Sequence, residues 1–170
     1  MVPLAYFPFF AASTGAGAAL IGLLFVAISI APEHMVAETA PVERQTRATS
    51  AFTALFNAFF VSLVALMPNT NVGGVGVTMG AIGLINSVGI AMQLARRQRG
   101  WRALTRGAFL LAASFVLYGM QTYVSISLLR DYRSVGAVEF LAFLMIVAYG
   151  IGLSRAWELL GARRYGFSSL

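Results

Sequence analysis

Five long apolar runs dominate this sequence and decide what it can fold into. A helix needs roughly 20 apolar residues to cross about 30 Å of hydrocarbon. The runs cover residues 8–31, 50–67, 74–95, 107–129 and 136–157. Charged residues make up only 11% of the chain, whereas a soluble domain carries about 25%. We therefore predict an all-α fold: a polytopic transmembrane helical bundle of five spans, forming one integral membrane domain over residues 1–170.

The breaks between the runs support this division. Pro32 closes the first run, and the segment from Pro68 to Gly74 has the proline, asparagines and glycines of a tight turn. The second helix is expected to begin near Pro41, with Glu43 and Arg47 as an i,i+4 ion pair. The first run has no basic segment before it and is longer than the apolar part of a signal peptide. We expect it to remain in the mature protein.

The arginines predict the orientation, because cytoplasmic segments are enriched in Lys and Arg. All 12 basic residues are arginine. With the N-terminus outside and the C-terminus inside, only Arg130 and Arg133 lie outside. The inner arginines are then Arg44, Arg47, Arg96, Arg97, Arg99, Arg102, Arg106, Arg155, Arg163 and Arg164. The basic run 96–106 could bind phosphates of nucleic acid, but an inner loop on anionic lipid headgroups is the favoured interpretation. We expect the lipid bilayer, and no nucleic acid, as its partner.

Small residues recur on two spans at the spacing used for close helix packing. Helices in a bilayer associate through small residues and interhelical hydrogen bonds, since lipid tails are as apolar as leucine. The candidates are Gly15, Ala19 and Gly22 on the first span and Gly76, Gly80 and Gly83 on the third. The spacing alone does not distinguish packing within one chain from packing between subunits.

Polar side chains at membrane depth are the main functional candidates, because such groups normally face a protein interior or a water-filled cavity. The stripes contain Asn57 on the second span, Asn86 and Gln93 on the third, and Gln121 and Ser125 on the fourth. They could line an aqueous path, or they could hydrogen-bond to one another in a closed bundle. The closed bundle is the favoured structural interpretation, because amides and hydroxyls commonly link helices.

Glu139 is the one carboxylate inside a predicted span. It lies roughly 5 Å below the outer surface, at 1.5 Å per residue. It could reach water or pair with Arg130 or Arg133, which is the favoured interpretation. Alternatively, it could be an acid at the outer mouth of a pore.

Several kinds of chemistry are excluded or disfavoured by composition. The chain has no cysteine and no lysine, so it can form no disulfide, cysteine-held metal site or lysine Schiff base. His34 with Glu33 and Glu38 would make a thin metal site, and an interfacial histidine is favoured. No nucleophile elbow or glycine-rich phosphate loop is present. We predict no enzymatic activity, no cofactor and no metal.

The first span contains a longer motif, Ser13-Thr-Gly-Ala-Gly-Ala-Ala-Leu-Ile-Gly-Leu-Leu-Phe-Val-Ala-Ile-Ser-Ile30. It resembles the N-terminal signature of a widespread group of small bacterial membrane proteins, some of which carry the label "modulator of FtsH protease". The resemblance continues through Arg47-Ala48 and Leu66-Met67-Pro68 and covers about the first 75 residues. It implies a polytopic helical bundle in a bacterial plasma (inner) membrane.

Two functional hypotheses follow. The first is a homo-oligomeric channel for ions or small solutes, lined by Asn57, Asn86, Gln93, Gln121 and Ser125, with Glu139 at the outer mouth. The second is a non-catalytic accessory or regulatory subunit that packs against a larger membrane complex through the small residues of the first span. The channel ranks slightly ahead on the sequence alone.

Overall fold

The computed structural model describes residues 2–30, 42–97, 101–131 and 133–159. A short 3-10 helix, Leu4–Tyr6, leads into the first of five α-helices. The helices are α1 (Phe7–Ile30), α2 (Val42–Ala65), α3 (Val72–Arg97), α4 (Trp101–Arg130) and α5 (Val135–Leu159).

The prediction of an all-helical fold with five helices of membrane-spanning length is confirmed. Each of the five helices is long and apolar enough to cross a membrane, and the described ranges contain no strand. Each helix overlaps one of the predicted runs. The expectations for His34 and Pro41, and for the Glu43 side chain, concern groups outside the part of the chain that the structure describes.

The helices run alternately up and down, and α2 lies at the centre of the bundle. It packs against α1, α3 and α5, while α4 packs against α3 and α5. Three residues of α2 show this central position: Ala51 meets α5 at Gly152, Phe59 meets α1 at Gly17, and Thr53 bonds to α3. One end of the bundle therefore carries the C-terminal ends of α1, α3 and α5 and the N-terminal ends of α2 and α4.

The turn between α2 and α3 matches the tight turn expected from Pro68 and its neighbours. Asn69 has φ = 59°, a left-handed conformation that asparagine tolerates better than most residues. Asn71 caps α3, because its Oδ1 accepts a hydrogen bond from the Gly73 N–H at 2.9 Å. Its Nδ2 donates to the Leu128 carbonyl at 3.2 Å, which ties this turn to the end of α4.

The surface of the bundle is apolar, as a lipid-facing surface must be. Ile85 is 72% exposed, and large aliphatic and aromatic side chains on the other helices are also exposed. Several of the polar side chains, by contrast, are fully buried between the helices, among them Asn57, Ser62, Gln121 and Ser125. The surface is thus more apolar than that of a soluble helical protein, while the interior combines an apolar core with these polar side chains.

Candidate functional site

The centre of the bundle contains a reciprocal pair of carboxamides. Asn57 on α2 donates from Nδ2 to Gln121 Oε1 at 2.9 Å, and Gln121 on α4 donates from Nε2 to Asn57 Oδ1, also at 2.9 Å. Gln121 Nε2 also donates to the Gly76 carbonyl on α3 at 3.1 Å. Both side chains are at most 2% exposed. Two predicted site residues therefore satisfy each other and connect three helices.

Close packing of α3 on α4 makes this connection possible. A Cβ added to Gly76, Gly80 or Gly83 would overlap Ser125, Thr122 or Tyr118 of α4, respectively. These three predicted packing glycines therefore lie directly against another helix of the same chain. Their spacing brings the two backbones close enough for a side chain of α4 to reach a carbonyl of α3.

Ser125 is fully buried beside this pair. Its Oγ makes no hydrogen bond within the described part of the chain, although it lies against Gly76, where a Cβ would overlap it. The missing side chain of Gly76 leaves the space that the Ser125 hydroxyl occupies. Ser125 therefore belongs to the α3–α4 packing surface.

Asn86 and Gln93 occupy a different place, on a seam between α2 and α3. Asn86 Nδ2 donates to Thr53 Oγ1 at 3.0 Å, and Thr46 Oγ1 donates to Gln93 Oε1 at 3.4 Å. Asn86 is half-buried and Gln93 is exposed. The five predicted intramembrane amides and hydroxyls thus divide into a buried group of three and an outer group of two.

A second polar cluster, absent from the predicted set, joins α1 to α2 and α5. Ser13 Oγ lies 2.7 Å from Ser62 Oγ, and the Tyr149 hydroxyl donates to the Ser13 carbonyl at 2.6 Å. Gly17 makes room for it, since a Cβ there would lie 2.5 Å from the Tyr149 hydroxyl. Ser13, Ser62 and Tyr149 are not among the predicted site residues. The only sequence signal for the two serines is a polar residue on an otherwise apolar face.

Arg155 is the most unexpected member of the interior. The sequence places it at the inner end of the fifth span, 136–157, among the arginines assigned to the inner side; in the structure it is only 5% exposed. One guanidinium nitrogen donates to Ser50 on α2, and Nη2 donates to Ser114 on α4 at 2.6 Å. Glu158, one turn further along α5, lies 3.8 Å from Arg47 Nε. The arginine therefore links α2, α4 and α5 one turn from the end of the bundle.

The remaining predicted site residues lie on the surface. Gly15, Ala19 and Gly22 are exposed, and a Cβ at Gly15 or Gly22 would meet nothing within 4 Å. The glycine of α1 that packs closely inside the chain is Gly17. Glu139 is exposed in the second turn of α5.

Apart from the Arg155 guanidinium, the arrangement pairs neutral donors with neutral acceptors, and its bonds link helices to one another. Among the described residues, no three His, Asp or Glu side chains lie close enough to hold a metal ion. No protein-family model, curated protein or solved structure matches this chain. The fold and its interior define a multi-pass helical membrane protein whose bundle is held together by buried amides, hydroxyls and one arginine.

Proposed function

We propose that this protein is a non-catalytic accessory or regulatory subunit that docks on a larger membrane complex through the exposed face of α1. One observation carries the proposal. All the buried polar side chains of the described residues except Ser125 hydrogen-bond within the chain, whereas α1 buries only Phe10, Ser13, Gly17 and Leu24. Its small residues on the other side, Gly15, Ala19 and Gly22 among them, are exposed. Small residues let another helix approach closely, so this face suits a neighbouring helix of a partner.

The proposal includes an orientation and a membrane. The N-terminus lies outside and the C-terminus inside, in a bacterial plasma membrane. The arginines of the described ranges support this assignment, because cytoplasmic ends are enriched in them. One end of the bundle has Arg44, Arg47, Arg96, Arg97, Arg102, Arg106 and Arg155, and the other has only Arg130 and Arg133. The resemblance of the first span to small bacterial membrane proteins supports the choice of membrane.

The test is native mass spectrometry of the protein extracted gently from its own membrane. A stoichiometric complex with another membrane protein is expected for the unaltered chain. Gly15→Leu should lose that partner without loss of stability, because the added side chain meets no other helix of the chain. Gly150→Leu is the matched control, since Gly150 is an equally open helical glycine on α5. A chain that carries no partner, or a Gly15→Leu variant that keeps it, would overturn the proposal.

A homo-oligomeric channel is the second candidate, and the α2–α3 seam favours it. Asn86 and Gln93 are at least partly exposed on the outside of the bundle, where several copies around one axis would turn them toward a shared path. A closed oligomer of three or more copies, with solute flux in liposomes that Asn86→Leu reduces, would support this function. Unchanged flux in that variant would exclude Asn86 as a lining residue.

A further inference from the structure

We propose that a groove on α2, between α1 and α3, binds an anionic phospholipid at the arginine-rich end of the bundle. This end is the one at which α1, α3 and α5 terminate. The groove follows the face of α2 on which Phe52, Phe56 and Phe60 recur at intervals of four residues. It does not include the small-residue face of α1, so the inference does not rest on the proposed docking.

The floor of the groove is a column of phenylalanine rings. Both α1 and α3 pack against α2, but on different sides of it, which leaves a strip of α2 between them. On this strip the ring centroids of Phe52 and Phe56 are 5.2 Å apart, and those of Phe56 and Phe60 are 4.3 Å apart. All three side chains are only partly exposed.

Side chains of α1 and α3 form the walls. The Phe25 ring of α1 meets the Phe52 ring edge to face at 5.7 Å. On α3, Ile82 lies one turn before Asn86, which bonds to Thr53 of α2. Phe25 is 55% exposed and Ile82 is 48% exposed, so both project farther from the bundle than the partly exposed rings between them. The column is therefore recessed between two walls.

The groove becomes polar and then basic toward the arginine-rich end. Thr49 of α2 is exposed there, and so is Gln93 of α3, whose Oε1 accepts a hydrogen bond from Thr46 at 3.4 Å. Beyond Gln93, α3 ends with Arg96 and Arg97. Phospholipids with a net negative charge have the same order of groups, from acyl chains through esters to a phosphate. A membrane helix of a second copy would instead be apolar along its whole span.

The depth of these groups fits a lipid of one leaflet. Thr46 precedes Phe56 by ten residues, which is about 15 Å at 1.5 Å per residue. That is half of the roughly 30 Å hydrocarbon thickness. A lipid whose ester groups lie at the level of Thr46 and Gln93 therefore reaches Phe56 with its acyl chains. The Gln93 carboxamide has N–H donors for the ester carbonyls.

Photocrosslinking from inside the groove identifies its occupant. The photoreactive residue p-benzoylphenylalanine replaces Phe56 or, in a second variant, the more exposed Ile82. The full chain is reconstituted in vesicles of phosphatidylglycerol and phosphatidylcholine, in equal amounts and with identical acyl chains, and the adducts are identified by mass spectrometry. Leu153 is the matched control position, because it is 50% exposed and adjoins Gly152, which contacts Leu55 at nearly the same depth.

The adducts at Phe56 and Ile82 should contain about 5-fold or more phosphatidylglycerol over phosphatidylcholine. The reason is that one arginine near the membrane surface strengthens the binding of anionic lipid by about 5-fold. At Leu153 the two lipids should be crosslinked nearly equally.

The arginines are tested by substitution at the two ends of the bundle. Replacing both Arg96 and Arg97 with glutamine should bring the lipid ratio at Phe56 close to that at Leu153. Arg130→Gln is the matched control, because Arg130 ends α4 at the opposite end of the bundle, and it should leave the ratio unchanged.

Three results would overturn the inference. The first is adducts at Phe56 and Ile82 that consist of a second copy of the chain or of another protein. The second is the same lipid ratio at these two positions as at Leu153. The third is an excess of phosphatidylglycerol that persists when Arg96 and Arg97 are both replaced.

Discussion

Replacing Gln121 with methionine tests whether the buried carboxamide pair holds the bundle together. Methionine has nearly the same length and shape as glutamine, so packing is largely kept while three hydrogen bonds are lost. Interhelical hydrogen bonds in membranes contribute about 0.6 kcal/mol on average and up to about 1.7 kcal/mol. We therefore expect the variant to lose about 2–4 kcal/mol of unfolding free energy, part of it because Asn57 is left buried without its partner.

The partner variant and the double variant sharpen this test. Asn57→Leu should cost about 1–3 kcal/mol, less than Gln121→Met, since Gln121 keeps its bond to the Gly76 carbonyl. The double variant should cost little more than Gln121→Met alone, because no carboxamide then remains unsatisfied. The expected coupling free energy is about 1–3 kcal/mol.

The assay is reversible unfolding in mixed detergent micelles, followed by helicity. Ser154→Ala is the control, because its exposed hydroxyl bonds only to carbonyls of its own helix, and it should change stability by less than about 0.5 kcal/mol. Additive losses in the double variant, to within about 0.5 kcal/mol, would refute the reasoning. In that case the two amides would be stabilised by other groups and not by each other.

Three further outcomes follow from the packing. Gly83→Ala should destabilise the bundle by about 1–3 kcal/mol in the same unfolding assay, because the added methyl overlaps the Tyr118 ring. Gly15→Ala should be neutral or slightly stabilising, because its added methyl meets no other atom. Equal effects of the two substitutions would contradict the packing of α3 on α4. Tyr149→Phe should lower the free energy of unfolding by about 0.5–1.5 kcal/mol, because it removes the hydrogen bond to the α1 backbone. Proteolysis of α1 in micelles should accelerate. Unchanged cleavage would contradict the role of Tyr149 in holding α1 against the bundle. Arg155→Met should cost less than Arg155→Ala in thermal unfolding, since methionine fills the buried site that alanine leaves empty. The reverse order would contradict the assumption that filling this site stabilises the bundle.

The number and position of the spans could be predicted from the sequence, because hydropathy acts locally. Twenty consecutive apolar residues favour a membrane helix whatever their neighbours are. Chain breaks are equally local, and Pro68 and Asn69 indicated the turn that the structure contains. The spacing of polar residues likewise singled out Asn57 and Gln121, because intramembrane amides require partners.

The pairing of those residues was decided only by the tertiary structure. Whether Asn57 meets Gln121 or faces water depends on the depth and rotation of two helices that are 64 residues apart in sequence, and no local pattern contains that information. The first span is apolar on every side, so its own sequence does not select the face that packs. Ser13 and Gly17 became buried, and Gly15 remained outside, because Tyr149 and Phe59 fit against Gly17. Arg155 shows the same limit. The charge rule placed it on the inner side at the end of the fifth span, but only the packing of α5 against Ser50 and Ser114 buried it, where hydroxyl groups replace water as its hydrogen-bond partners.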